Sequence, residues 1–223
     1  MKVNLFVMTL CAALSGFAQA QDDQGNQNNQ GNSPSPFRLQ LSSTTFPNNA
    51  PQLPLIMIFT SDVSGPNTNA CTFNGEDGGN QSPELQWTGV PAGTRSFVMV
   101  MFDVTASFTH WGMYNIDPDR RMLPLGAGVA NSQFGEQIAN DYNLGDQNYD
   151  GPCPPSAAVS PPAHDYVFTI YALDIKLPIL PTFDGASSAG ALYHALIDAA
   201  RGDHILASAS TQGFYSALVP PGP

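Results

Sequence analysis

Residues 97–102 read Phe-Val-Met-Val-Met-Phe, six apolar side chains in succession. Successive side chains of a strand point to opposite faces, so this run suits a strand covered on both sides. It predicts the central strand of a sheet with packed layers above and below it. Most other apolar runs are short and separated by Gly, Pro, Asn and Asp, the punctuation of strands and turns. From Phe37 to Phe46, Phe37, Leu39 and Leu41 alternate with Arg38, Gln40 and Ser42, the period of a half-buried strand. Leu53–Thr60 is a second continuous apolar run and predicts a buried strand. Trp111–Ile116, Tyr166–Leu173 and Ile205–Thr211 predict three more. The turn-rich stretch from Leu123 to Ala163 is long for a compact domain, which marks a functional loop or short elements of its own.

One segment has the other period. Leu192, Tyr193, Leu196, Ile197 and Ala200 recur at three- and four-residue steps after Ala189, giving a single apolar stripe and predicting a helix. Ser187 or Ser188 can cap its start, and Gly202 stops its end. His194 falls inside this helix as a surface or boundary residue. His204 falls at a strand start in a structural role. Trp87, Trp111 and Phe168 read as core aromatics.

The first 20 residues have the pattern of a signal peptide: Lys2, a mostly apolar stretch from Val3 to Leu14, and Ala18-Gln19-Ala20 as a small-x-small cleavage site. The apolar stretch is shorter than the about 20 residues needed to span a bilayer, so no transmembrane segment is predicted. The expected destination is extracellular or periplasmic after cleavage near Ala20. Residues 21–36, QDDQGNQNNQGNSPSP, contain no large apolar side chain and are expected to be a disordered leader. The folded domain is expected to occupy residues 37–219.

Asp and Glu number 18 against 7 Lys and Arg, a net charge of −11. Loss of Lys2 on cleavage makes this −12. A field of that sign opposes encounter with nucleic acid or an anionic lipid surface, while a small local anion site remains compatible with it. Cleavage also removes Cys11 and leaves Cys71 and Cys153. Two cysteines in an exported chain are most simply one disulfide. The rival is a metal site or reactive thiol, which the absence of a Cys-x-x-Cys spacing disfavours.

Three places concentrate unusual residue choices: Asp103-Val-Thr105-Ala-Ser107 with His110-Trp111, Gly151-Pro152-Cys153-Pro154-Pro155, and His164-Asp165-Tyr166. Imidazole and phenol hydrogens donate to phosphate-like oxygens, and Asp103 can fix an imidazole tautomer. Taken singly, a His or Asp at a strand end is more often a structural cap. Asp103, His110 and His164 also have the residue types of acid–base or metal chemistry. They lack a Gly-x-Ser-x-Gly, His-Glu-x-x-His or P-loop context, so neither catalysis nor a metal or other cofactor is expected.

The order and surroundings of these residues carry more. Asn80-Gln-Ser82-Pro83-Glu-Leu85-Gln-Trp87, Gly89-Val-Pro91-Ala-Gly93-Thr94-Arg-Ser96-Phe97, Asp103 with His110-Trp111 and Asn115-Ile116, Asn140-Asp141-Tyr142, Tyr149-Asp-Gly151-Pro152-Cys153-Pro154-Pro155, and the strand His164-Asp-Tyr166-Val-Phe168-Thr169-Ile-Tyr171-Ala172-Leu173-Asp174 are the relevant segments. Together they resemble the bacterial, Raf-kinase-inhibitor-like branch of the phosphatidylethanolamine-binding proteins, from about Phe37 to Tyr215. The resemblance implies a mainly β fold: a large central antiparallel sheet flanked by a smaller sheet and a C-terminal helix. It also implies a non-catalytic pocket for phosphate-like anions or phospholipid headgroups at one end of the large sheet. Its residues would be Asp103, His110, Gly151, Pro152, His164 and Tyr166. A Cys71–Cys153 disulfide bracing one wall of the pocket is implied as well. The alternative role for such a protein is regulation of a secreted hydrolase or host kinase through surface loops. Two residues depart from the family loop: Thr105 stands where a second acid is usual, and Ser107 where a proline is usual.

Overall fold

The structure, a computed structural model, describes residues 38–61, 68–142, 147–155, 163–181 and 187–220. The signal-like segment 1–20 and the leader 21–36 lie outside the described residues, as does Phe37. Among the described residues, eight strands form two antiparallel sheets. The small sheet has the order β1 (Gln40–Ser42), β2 (Leu85–Thr88) and β5 (Met122–Leu123). The large sheet has the order β6 (Glu136–Gln137), β4 (Phe108–Ile116), β3 (Ser96–Asp103), β7 (His164–Leu173) and β8 (Ile205–Tyr215). One helix, α1 (Ala189–Arg201), packs on the large sheet.

The Phe97–Phe102 run explains this layering. It lies in β3, the middle strand of the large sheet, and every residue of that strand is buried. Phe97, Met99 and Met101 enter the core shared with the small sheet, where Trp87, Trp111 and Phe168 also sit. Val98, Val100 and Phe102 enter the second core, against Leu192, Tyr193 and Leu196 of α1. A strand with packing on both faces has no use for polar side chains, so its sequence loses alternation.

The helix matches its predicted span, and its start resolves the choice between two serines. Ser187 Oγ accepts the Ala189 N–H at 3.1 Å, while Ser188 Oγ accepts the Ala139 N–H at 2.9 Å and so ties α1 to the loop that follows β6. At the other end the Gly202 N–H reaches the Asp198 carbonyl at 3.0 Å. His194 is exposed, and His204 meets Asp174 at 2.9 Å just before β8.

Leu53–Thr60 is not a strand. Leu55–Met57 form a single turn of 3-10 helix. Pro54 carries no N–H to offer a neighbouring strand, and the N–H groups of Met57 and Ile58 turn back to the carbonyls of Pro54 and Leu55, both at 3.0 Å. Leu53, Met57 and Ile58 are nonetheless completely buried in the inter-sheet core. The apolar run reported burial correctly, but a buried run of this length does not reveal its backbone pairing.

Candidate functional site

One end of the large sheet gathers the residues singled out by sequence. Asp103 ends β3 and lies opposite Tyr166 of β7 in the strand register. His164 begins β7, two residues earlier and on the same face. His110 reaches that face by a different device. Along β4, Met101 pairs with Trp111 and Phe102 with Thr109, so His110 is the extra residue of a β-bulge. Strict alternation would aim His110 opposite to Trp111, toward α1. The bulge lets both side chains face the Tyr166 side, and the His110 and Tyr166 rings meet edge to face with centroids 5.2 Å apart.

The Asp103 carboxylate organises the loop after β3. Its Oδ1 accepts the N–H groups of Thr105 and Ala106 at 2.9 and 3.0 Å, and its Oδ2 meets His164 Nδ1 at 2.6 Å. The loop's two unusual residues have structural duties. Thr105 Oγ1 accepts the Asp165 N–H at 3.0 Å and pins the loop to β7. Ser107 adopts φ +56°, a conformation closed to proline with its φ near −65°.

His110 is held from the other side. Its Nδ1 lies 2.8 Å from the Asp150 carbonyl oxygen, an atom that can only accept, so Nδ1 carries the proton. The Asp150 side chain is buried and hydrogen-bonded by two amides. Asn80 Nδ2 donates to Oδ1 at 3.0 Å and Asn140 Nδ2 to Oδ2 at 2.8 Å. Asn80 Oδ1 also accepts the Gly151 N–H at 2.8 Å, which commits the amide of the Asn80-Gln81-Ser82 sequon to this frame. Tyr142 Oη donates to the Gly151 carbonyl at 2.9 Å, and its ring packs against Phe59, Phe108 and His110. Asn80, Asn140, Tyr142 and Asp150 thus complete the cluster, although their residue types alone gave no sign of it.

Gly151 and Pro152 pack against the segment Met57–Phe59 beside the cluster. A side chain on Gly151 would start 1.8 Å from the Met57 carbonyl oxygen, and the Pro152 carbonyl accepts the Phe59 N–H at 3.1 Å. The next residue, Cys153, forms a disulfide with Cys71. Tyr215 Oη donates to the Cys71 carbonyl at 2.9 Å, so the bond joins this segment to the end of β8.

Burial sets the electrostatics. It pushes the His110 pKa below 6.5, against the opposing pull of the Asp150 carbonyl and the Asp103 carboxylate. It also raises the phenol pKa values of Tyr142, Tyr149 and Tyr166, with Asp103 or Asp150 adding to the effect. Near neutral pH, His110 is therefore an uncharged ring whose Nε2 is an acceptor. The Tyr166 hydroxyl is completely buried and has no hydrogen-bond partner among the described residues, a costly state for a phenol. Asp103 and His110 are 2% and 3% exposed, while the His164 side chain is 14% exposed and Asn80 and Tyr142 are half-buried. Two surface hollows of about 400 and 480 Å³ lie elsewhere, and neither is lined by these residues. Among the described residues no group of three or more His, Cys, Asp or Glu is placed to hold a metal ion.

Known proteins resemble this chain in sequence and architecture. YbhB of Escherichia coli K12 is 38% identical over 153 residues, covering 65% of this chain and 88% of YbhB. The lipoprotein LppC of Mycobacterium tuberculosis H37Rv is 32% identical over 131 residues, covering 56% of this chain and 59% of LppC. The crystal structure of E. coli YbcL, described as a member of the mammalian PEBP family, superposes with a TM-score of 0.59 at 29% identity, covering 80% of this chain and 98% of YbcL. The PEBP homologue CT736 of Chlamydia trachomatis gives 0.57 at 27% identity, covering 81% and 98%. Residues 59–216 match the family model described as phosphatidylethanolamine-binding protein. With that match spanning most of a chain that has the same two-sheet fold, the protein belongs to the phosphatidylethanolamine-binding protein family.

Proposed function

We propose that the Asp103–His110–His164–Tyr166 cluster, walled by Gly151 and Pro152, binds a phosphate-like anion or a phospholipid headgroup without transforming it. The observation that carries this reading is the buried Tyr166 hydroxyl, which has no hydrogen-bond partner among the described residues. It lies beside two imidazoles whose Nδ1 atoms are already engaged, one by Asp150 and one by Asp103. A tetrahedral oxyanion would accept the Tyr166 proton. It meets the Nε2 atoms favourably only when an imidazole is protonated or when the ligand brings its own O–H. Binding of an oxyanion that carries no O–H is therefore coupled to proton uptake. Because Asp103, His110 and Tyr166 are buried, entry of a ligand also requires displacement of packed groups.

The non-catalytic part of the proposal rests on what surrounds the imidazoles. Among the described residues no serine, threonine or cysteine is hydrogen-bonded to His110 or His164, so neither has a nucleophile to activate. Export to an extracellular or periplasmic space is supported by the signal-like first 20 residues and by the disulfide, which persists in oxidising compartments. A relative described as a lipoprotein fits the same picture. Among the described residues no helix is long and apolar enough to cross a membrane.

Titration calorimetry with inorganic phosphate and with phosphoethanolamine at about pH 5.5 and pH 8 tests the proposal. Tighter binding at the lower pH, accompanied by net proton uptake, is the expected result, since the His110 pKa lies below 6.5. Absent or pH-independent binding of both ligands refutes it.

A further inference from the structure

The opposite end of the large sheet carries a hollow of about 400 Å³ whose lining includes Asn115, Asp117, Arg120, Phe134, Glu136 and Lys176. The ten residues of β7 separate the two ends, about 30 Å at roughly 3.3 Å per residue. None of these side chains belongs to the His110–His164 cluster.

The frame of the hollow is fixed. Asn115, near the end of β4, sits at φ +55°. Its Nδ2 donates to the Leu177 carbonyl at 2.9 Å, and its Oδ1 accepts the Leu177 N–H at 2.8 Å. This two-bond clamp ties the segment bearing Lys176 to β4. The turn after β4 is closed by the Arg120 N–H on the Asp117 carbonyl at 3.1 Å. The Arg120 guanidinium lies over the Phe134 ring, 4.6 Å from its centre, an arrangement that orients the ion while leaving its in-plane N–H groups available. Glu136 is held in β6 by its pairing with Tyr114 of β4.

The charges are present but not spent on each other. Neither Arg120 nor Lys176 forms an ion pair among the described residues. Asp117 uses Oδ1 on the Asp119 N–H at 2.8 Å, and Glu136 enters no ion pair either. Two cations and two carboxylates thus face one hollow of small-molecule size. A simple anion drawn to Arg120 and Lys176 is repelled by Asp117, Glu136 and the chain's net charge of −11. A simple cation meets the converse repulsion. We propose that this hollow is a second binding site, for a small zwitterion carrying an α-ammonium and a carboxylate, as in a free amino acid or a dipeptide. The carboxylate meets Arg120 and Lys176, and the ammonium meets Glu136 and Asp117. Three of the four charged groups are exposed, so water screens each contact and dissociation constants near about 1 mM are expected.

The test is amide chemical-shift titration of the folded protein with L-leucine and glycyl-L-leucine, each compared with 4-methylpentanoate and 3-methylbutylamine, which carry only the anionic or only the cationic group. A zwitterion should saturate shifts of residues 115–136 and 176–177 with at least about tenfold tighter binding than either fragment, while the amides of His164 and Tyr166 stay still. Tighter binding of leucine assigns the site to free amino acids; tighter binding of the dipeptide assigns it to peptides. Arg120→Gln and Glu136→Gln should each weaken the zwitterion about tenfold, the first also weakening the carboxylate fragment and the second the amine. Equal binding of zwitterion and fragments, no saturation up to about 10 mM, or shifts confined to the His164 end overturns the proposal. The phosphate titrations described above are unaffected by any of these outcomes.

Discussion

Replacing both Cys71 and Cys153 with alanine tests where the stability of this domain is stored. The disulfide spans a sequence separation of 82 residues. In the chain-entropy model, opening a loop of that length returns about 15 cal/mol/K to the unfolded chain, or about 4.5 kcal/mol at 25 °C. The native contacts beside it use backbone atoms that the substitution retains. Tyr215 Oη still finds the Cys71-position carbonyl, as it does at 2.9 Å, and the Phe59 N–H still finds the Pro152 carbonyl, as at 3.1 Å. The loss therefore falls mainly on the unfolded state. With a slope of about 2 kcal/mol/M for urea, the midpoint should drop by about 2 M, and the slope should rise as the uncrosslinked chain expands. Urea unfolding followed by tryptophan fluorescence measures both, and near-ultraviolet circular dichroism should show an unchanged native state. A midpoint drop below about 0.5 M would refute the entropic assignment. So would an altered native spectrum, which would locate the effect in the packing around Gly151.

Two further outcomes concern the cluster itself. Burial lowers the His110 pKa in the folded protein, so the unfolded chain binds the extra proton first. The corresponding stability is complete above about pH 6.5 and is lost as pH falls toward the folded value, at up to about 1.4 kcal/mol per pH unit. His110→Gln should flatten that part of the profile in urea midpoints measured from about pH 5 to pH 7; a variant with the wild-type slope would show that His110 is not its source. Gly151→Ala places a carbon 1.8 Å from the Met57 carbonyl oxygen, where only backbone can move, and should cost about 3 kcal/mol or more. A thermal melt within error of wild type would mean that the wall yields.

The local period of the chain made some of this legible. The run Phe97–Phe102 announced a strand packed on both sides because the two cores on either face exclude polar groups. The stripe Leu192, Tyr193 and Leu196 announced a helix because its inward face meets one of those cores. Strands of two to four residues, such as β2, β5 and β6, are too short to impose a period. Leu53–Thr60 showed that burial and strand pairing are separate properties. Asp103, His110, His164 and Tyr166 could be named in advance through a family pattern. Asn80, Asn140 and Asp150 could not, since a buried carboxylate hydrogen-bonded by two amides leaves no distinctive residue choice.

Sequence alone thus determined the layers, because side-chain polarity records which face is dry, and its family pattern named Asp103, His110, His164 and Tyr166 at one end of the large sheet. Tertiary structure decided how those residues meet. The bulge at His110 turned a side chain that alternation would send toward α1 onto the face of Tyr166. The Asp150 carbonyl fixed the proton on Nδ1 of that ring, and burial left the Tyr166 hydroxyl without a hydrogen-bond partner among the described residues. Each depends on backbone geometry between strands distant in sequence, and no local period encodes it.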